Sequence, residues 1–305
     1  MNTARLAFGV LGHVAPGLAA AAAERLFFTP VGSRRRSRGE AQLAEAERFS
    51  VPFAGGRLAA WRWGRGPAVL LLHGWAGQAA QLTSLVPPLV ARGYSVAAFD
   101  APGHGRSGRG LSSLPQFARA LSAVAERVGP VSAIVAHSMG AAAAALAHRE
   151  GLAVERMVFL APAADPPSWI AQQAGVFGIG PRVVQRLRSR SERRLGFGWH
   201  ELNVPAMAPQ LSAGLLVIHD RGDAEVPFSD GAAVAGAWPG AELVETRGLG
   251  HNRILRDPEV MRRTVEFLGE PTAVCPCGAT AAGRCRACGF DRELWDREVR
   301  RARIG

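Results

Sequence analysis

No lysine occurs among the 305 residues. All 36 basic side chains are arginine, set against 25 acidic ones, for a formal charge of +11. A base-composition bias explains arginine in place of lysine, and the abundant alanine and glycine with it, but not an excess of positive charge. The excess therefore stands as a signal toward anionic partners. Tyrosine occurs once and aromatics make up only 7% of the chain, which leaves few stacking platforms and argues against a nucleic-acid binder. Cysteine is absent before position 275. A secreted chain stapled by disulfides would spread its cysteines through the fold, so that class is set aside and a reducing, cytoplasmic setting is expected. With 48% hydrophobic and 20% charged residues, disordered and fibrous classes are excluded as well.

A convincing membrane span is also missing. Residues 6–23 carry no charge, but Gly9, Gly12, His13, Pro16 and Gly17 interrupt them and much of the rest is alanine. The expected reading is a helix packed on the body or lying on a membrane surface, with a spanning or cleaved segment as the alternative. Arg34-Arg35-Arg36-Ser37-Arg38 follows as a linker suited to anionic lipid heads, although such runs are commonly just solvated. Residues 1–47 thus form an N-terminal apolar helix and Arg-rich linker.

From there the pattern alternates. Arg48–Phe53 and Arg57–Trp63 read as an antiparallel hairpin around Gly55-Gly56. Ala68–Leu72, Ser95–Phe99, Val131–Ala136, Arg156–Leu160, Gly214–His219 and Glu242–Glu245 read as strands, the apolar runs among them as strands buried on both faces. Between them, Gln81–Ala91, Phe117–Val128, Met139–Arg149, Gly231–Trp238 and Pro258–Leu268 read as helices. The class is α/β, a mostly parallel twisted sheet with helices on both faces. The alternation stops over residues 161–213, after the sixth strand, where an insertion would form a lid over a crevice.

One short motif carries chemistry. Ala136-His137-Ser138-Met139-Gly140 joins a strand to a helix, so Ser138 sits exposed on a tight turn at the positive end of that helix. It meets G-x-S-x-G with Ala136 in the first glycine position. His73-Gly74-Trp75-Ala76-Gly77 follows a buried strand as an HGxxG segment, and Asp100 to Ser107 reads D-x-x-G-H-G-x-S after the next strand. On these three motifs, residues 48–268 resemble the α/β-hydrolase superfamily, in its lid-bearing, esterase-like branch.

A serine nucleophile needs a base, and the base needs an orienting carboxylate. Of eight histidines, His73 and His104 lie in the loop motifs, and His137 flanks Ser138 with its side chain expected to point away. His13, His148 and His200 lie outside the strand-end loops, and His219 ends a buried strand as a core or loop residue. His251, on a glycine-rich loop after the last strand, remains and fits the family order of serine, acid, histidine. For the acid, His219 to Pro227 resembles the family's G-x-x-D-x-x-V-P loop, which implies Asp223. Asp220 and Asp165 are its competitors. The resemblance further implies an oxyanion hole from the backbone N–H groups of Trp75 and Met139, with Trp75 also a candidate wall of the acyl pocket. It requires no cofactor for catalysis.

The insertion adds Arg182, Arg186, Arg190 and Arg194 on one helix face, either solvated or facing an anionic substrate or membrane. Residues 269–305 form a Cys-rich tail. Cys275 and Cys277 make one hook, Cys285 and Cys288 a second, and four thiolates would close a structural zinc site with no open position. Arg292 to Arg303 reads as a short exposed helix. The expected function is a serine hydrolase acting on a small hydrophobic acyl substrate, with peripheral contact to an anionic membrane. The alternative is a silent hydrolase scaffold binding RNA or another polyanion through its Arg-rich surfaces and Cys tail.

Overall fold

The computed structural model describes residues 2–31 and 39–270. The tail, with its four cysteines and the helix expected at Arg292 to Arg303, lies outside the described residues. Among the described residues, three helices precede the sheet: α1 (Asn2–Val14), α2 (Pro16–Phe28) and α3 (Glu40–Ala44). Where the sequence suggests one N-terminal helix, the uncharged segment is two helices hinged at Ala15, because Pro16 has no N–H to continue the first and its fixed φ suits the start of the second.

The strands are β1 (Glu47–Phe53), β2 (Gly56–Trp63), β3 (Ala68–Leu72), β4 (Ser95–Phe99), β5 (Val131–His137), β6 (Arg156–Leu160), β7 (Gly214–Asp220) and β8 (Glu242–Thr246). They form one sheet in the order β1-β2-β4-β3-β5-β6-β7-β8. The first two pair antiparallel across a turn whose central residues, Ala54 and Gly55, both have positive φ, the geometry that matches strand twist in a two-residue hairpin. From β4 onward every pairing is parallel. The apolar runs of β3, β4 and β5 are buried throughout, as strands covered on both faces must be.

Helices cover both faces: α4 (Val86–Ala91), α5 (Leu114–Val128), α6 (Met139–Arg149), α7 (Pro166–Val176), α8 (Pro181–Leu195), α9 (Val204–Met207), α10 (Phe228–Ala237), α11 (Gly250–Arg253) and α12 (Pro258–Leu268). The single helix expected over Gln81–Ala91 is a 3-10 segment, Ala79–Leu85, followed by α4. The proline pair Pro87-Pro88 sits in the first turn of α4, where missing N–H groups cost no hydrogen bond.

One apolar core lies between the sheet and α5, α6, α9 and α10, and another between the sheet and α4 and α12. A third is separate from both. It joins Ala19, Ala20, Ala23, Phe27 and Phe28 of α2 to Val183, Leu187 and Leu195 of α8, with Ala174 of α7. The N-terminal helices therefore pack on the segment between β6 and β7. Strand β3 neighbours β4 on one side and β5 on the other, so the chain reverses direction across the sheet there, and a crevice opens at the carboxyl ends of β3 and β5.

Candidate active site

Ser138 lies between β5 and α6, at the N-cap of the helix, with φ 54° and ψ −124°, left-handed backbone at a non-glycine residue. Such a conformation costs about 1–3 kcal/mol and persists only where packing enforces it. The enforcement is visible at Gly140, where a Cβ would come within 2.5 Å of the His73 carbonyl oxygen and 2.9 Å of that of Leu72. Helix α6 and the end of β3 thus touch backbone to backbone, which only glycine allows. Ala136, in place of the first motif glycine, is accommodated fully buried in β5.

His251 is the second residue of the short helix α11. Its Nδ1–H donates to Asp223 Oδ2 at 2.7 Å, which leaves Nε2 as the acceptor nitrogen. Asp223 Oδ1 accepts the N–H groups of Glu225 and Val226 at 2.8 and 3.0 Å. Burial alone would raise the Asp223 carboxyl, but hydrogen bonds from His219 and His251 and from those two N–H groups outweigh it and hold it well below the usual carboxylate range. His219, expected to be a core or loop residue, is buried and also joins this acid. Its Nε2–H donates to the Val226 carbonyl at 3.1 Å and stands 3.4 Å from Asp223 Oδ2. Its Nδ1 has no partner among the described residues.

The competing acids sit elsewhere. Asp220 accepts from the N–H groups of Gly222 and Leu249 and from the Thr246 hydroxyl, each at 2.9 Å, so it ties the His251 loop to the end of β7. Asp165 caps α7 by accepting from Ser168. His137 differs from expectation, since it does not turn away. Its Nε2–H donates to the His251 carbonyl at 3.0 Å and the two rings lie 4.5 Å apart. Burial, followed by the nearness of His251, lowers the His137 pKa to about 3, so the ring is neutral and serves as a fixed strut.

The loop after β3 is braced from beneath. His104 Nε2 accepts the Ala76 N–H at 3.1 Å and His73 Nε2 accepts the Ala101 N–H at 3.0 Å. Their other nitrogens donate to the carbonyls of Pro102 and Gly74. Burial lowers these imidazoles to about 3 for His104 and about 4 for His73. Asp100 accepts from the N–H groups of Ala79 and Arg106 at 2.8 and 2.7 Å, and its carboxyl is raised by burial despite those bonds. Gly105, at φ 46°, lies so close that a Cβ there would be 2.1 Å from Asp100 Oδ2. This scaffolding presents the backbone N–H of Trp75, which, like that of Met139, has no acceptor among the described residues.

Ser138, Met139, Trp75 and His251 line one cavity of about 330 Å³. Its walls are mostly apolar and include Ile170 and Trp169 of α7 and Leu195 of α8. Phe27 and Phe28 of α2 complete it. The sequence pattern places those two residues in a separate N-terminal segment and gives no hint of their part in the pocket. The available signal is Glu24, the lone acid in an apolar stretch. It is 3% exposed and accepts hydrogen bonds from Arg190 and, at 2.7 Å, from Arg194 of α8. Two arginines of the predicted stripe therefore latch α2 to α8; Arg182 and Arg186 remain exposed. Among the described residues, no group of three or more His, Cys, Asp or Glu could hold a metal ion.

The sequence profile of the alpha/beta hydrolase family matches residues 69–264, and with the strand order and the elbow at Ser138 the chain belongs to that family. A comparison with curated proteins finds no matching sequence. Among solved structures, Est1E of Butyrivibrio proteoclasticus, with ferulic acid bound, is similar at TM-score 0.60 and 19% identity over 73% of this chain and 98% of that one. A thermophilic esterase from Thermogutta terrifontis is similar at 0.56 and 20%, over 73% and 98%. A bacterial membrane phospholipase A reaches 0.57 and 18%, and the match covers 86% of this chain and 94% of that one.

Proposed function

We propose that the protein is a serine hydrolase that cleaves hydrophobic carboxylic esters through an acyl-serine intermediate. The observation that supports this most is the Asp223–His251 pair at 2.7 Å, opening on the same apolar cavity as the strained Ser138. In this reading Ser138 Oγ attacks the acyl carbonyl while His251 Nε2 takes its proton. Asp223, ionised, keeps the proton of the other nitrogen in place and stabilises the imidazolium. The Trp75 and Met139 N–H groups receive the negative charge that develops on the carbonyl oxygen. One such donor is worth about 2.7–4 kcal/mol of barrier. The proton on His251 passes to the leaving alcohol, and water then repeats the sequence on the acyl-serine, returning Ser138 and a carboxylic acid.

The apolar walls suit an acyl chain or aryl group, and segment 161–213 with α2 acts as the lid above it. At the four cysteines, zinc is a proposal from spacing alone, read by metal analysis of the purified chain and of Cys285→Ser. The hydrolase reading is tested by intact-mass spectrometry after a fluorophosphonate probe. One adduct on the native chain and none on Ser138→Ala is the expected result. No adduct on folded native protein would overturn it in favour of a silent, polyanion-binding scaffold.

A further inference from the structure

Among the described residues, ten large hydrophobic side chains are more than a third exposed, and eight of these lie in residues 6–31 or on α7. Scattered apolar residues are normal on a surface, but these are ordered. Leu6, Val10 and Val14 recur every fourth residue along α1 at 72, 60 and 80% exposure, and Leu18 (66%) and Leu26 (39%) continue the spacing along α2. The opposite side of the same helices is spoken for. Phe8 and Leu11 join the third core, and Phe27 and Phe28 close the acyl cavity. Two helices thus carry an apolar face inward and a second apolar face to solvent, more than packing on the body requires.

The charge beside the outward face is mostly positive. Residues 2–31 and 161–213 hold eight arginines against Glu24, Asp165, Glu192 and Glu201. Glu24 is buried under Arg190 and Arg194, and Glu192 accepts from Arg188 at 2.8 Å. Arg5, Arg25, Arg182, Arg186 and Arg193 are exposed without an ion pair among the described residues. Arg182 and Arg186 flank Val183, against which α1 packs so closely that a Cβ on Gly12 would sit 3.2 Å from it. Apolar side chains bordered by unpaired arginines fit the interface of an anionic bilayer, where the former enter the acyl boundary and the latter meet phosphate groups. Neither helix is long and apolar enough to cross a membrane.

We propose that α1 and α2, with the exposed face of α8, dock the protein on anionic phospholipid surfaces. Because α2 also walls the cavity, docking sets that wall of the pocket against the lipid. The docking itself does not depend on the chemistry at Ser138, so Ser138→Ala binds like the native chain.

The test is cosedimentation of the full chain with phosphatidylcholine vesicles, with and without about one-third phosphatidylglycerol. The native protein should pellet with the anionic vesicles. Leu6→Gln/Val10→Gln/Val14→Gln should lose at least tenfold in partition, while its turnover of a short soluble ester, a check on folding, stays unchanged. Arg182→Gln/Arg186→Gln should lose about thirtyfold on anionic vesicles alone, a difference that high salt erases. Native protein that ignores vesicles, or a triple variant that binds like the native chain, overturns the proposal. So does a native dimer that the triple variant dissociates without any lipid binding, since the face would then belong to a second copy.

Discussion

Replacing Phe28 by alanine separates a pocket wall from a mere packing residue. The ring is 5% exposed, sits in the core that joins α2 to α8, and lies 5.2 Å beneath the Arg194 guanidinium. Removing a buried phenylalanine costs about 3–5 kcal/mol. One side of this ring already faces the 330 Å³ cavity, so the low end applies, about 3 kcal/mol. The lost cation–π contact adds about 0.5–1 kcal/mol. The melting temperature should fall by roughly 6–12 °C. In the same variant the pocket lengthens. If the space admits three more methylenes at about 0.8 kcal/mol each, kcat/KM for longer esters relative to shorter ones rises roughly fiftyfold. Calorimetry and a chain-length series of p-nitrophenyl esters read the two effects. A folded variant whose chain-length profile overlays that of the native enzyme would refute the assignment of α2 to the pocket.

Glu24→Gln should leave two half-exposed arginines that rehydrate, so the loss is that of hydrogen-bond partners, about 1–3 kcal/mol locally, and trypsin should cut after Arg25 faster while the sheet core survives. Equal cleavage rates would mean that the latch holds nothing. His137→Ala should lower kcat far more than it raises KM, because the strut beneath the His251 carbonyl is gone; an unchanged kcat would contradict that role. Stability should drop in mild acid. His73, His104 and His137 titrate near 6.5 when unfolded but only at about 4, 3 and 3 when folded, so the unfolded chain takes up protons first as pH falls. The loss begins near pH 6.5 and continues toward pH 4, with about 2 kcal/mol per histidine gone by roughly pH 5. A urea midpoint that is flat from pH 7 to 5 would count against all three being buried and neutral.

The α/β class, all eight strand positions and the helices Met139–Arg149 and Pro258–Leu268 are legible in the residue pattern alone, because a buried parallel strand is a short apolar run, a hairpin strand alternates and a capped helix has its own period. Ser138, Asp223 and His251 stand out because each lies on a strand-end loop with a local signature, and Gly140 beside Ser138 is required by a backbone contact no other residue permits. Proline chemistry, by contrast, is legible only in part. The break at Ala15 and the 3-10 segment before α4 follow from Pro16 and from Pro87-Pro88, whose consequences depend on which turn of a helix they occupy.

What the sequence by itself determined is thus everything encoded locally: period, turn chemistry and the order of motifs along the chain. The tertiary structure alone decided which distant segments share a site. Residues 27 and 28 reach the wall of a pocket that residue 138 also lines, because α2 buries an alanine face on α8 and Glu24 finds two arginines more than 160 positions away. His137 and His219 acquired their work in the same way, from neighbours brought in by the sheet. A side chain's partner across the fold leaves no trace in its own flanking residues, since burial and hydrogen bonding depend on distance in space and not on separation along the chain.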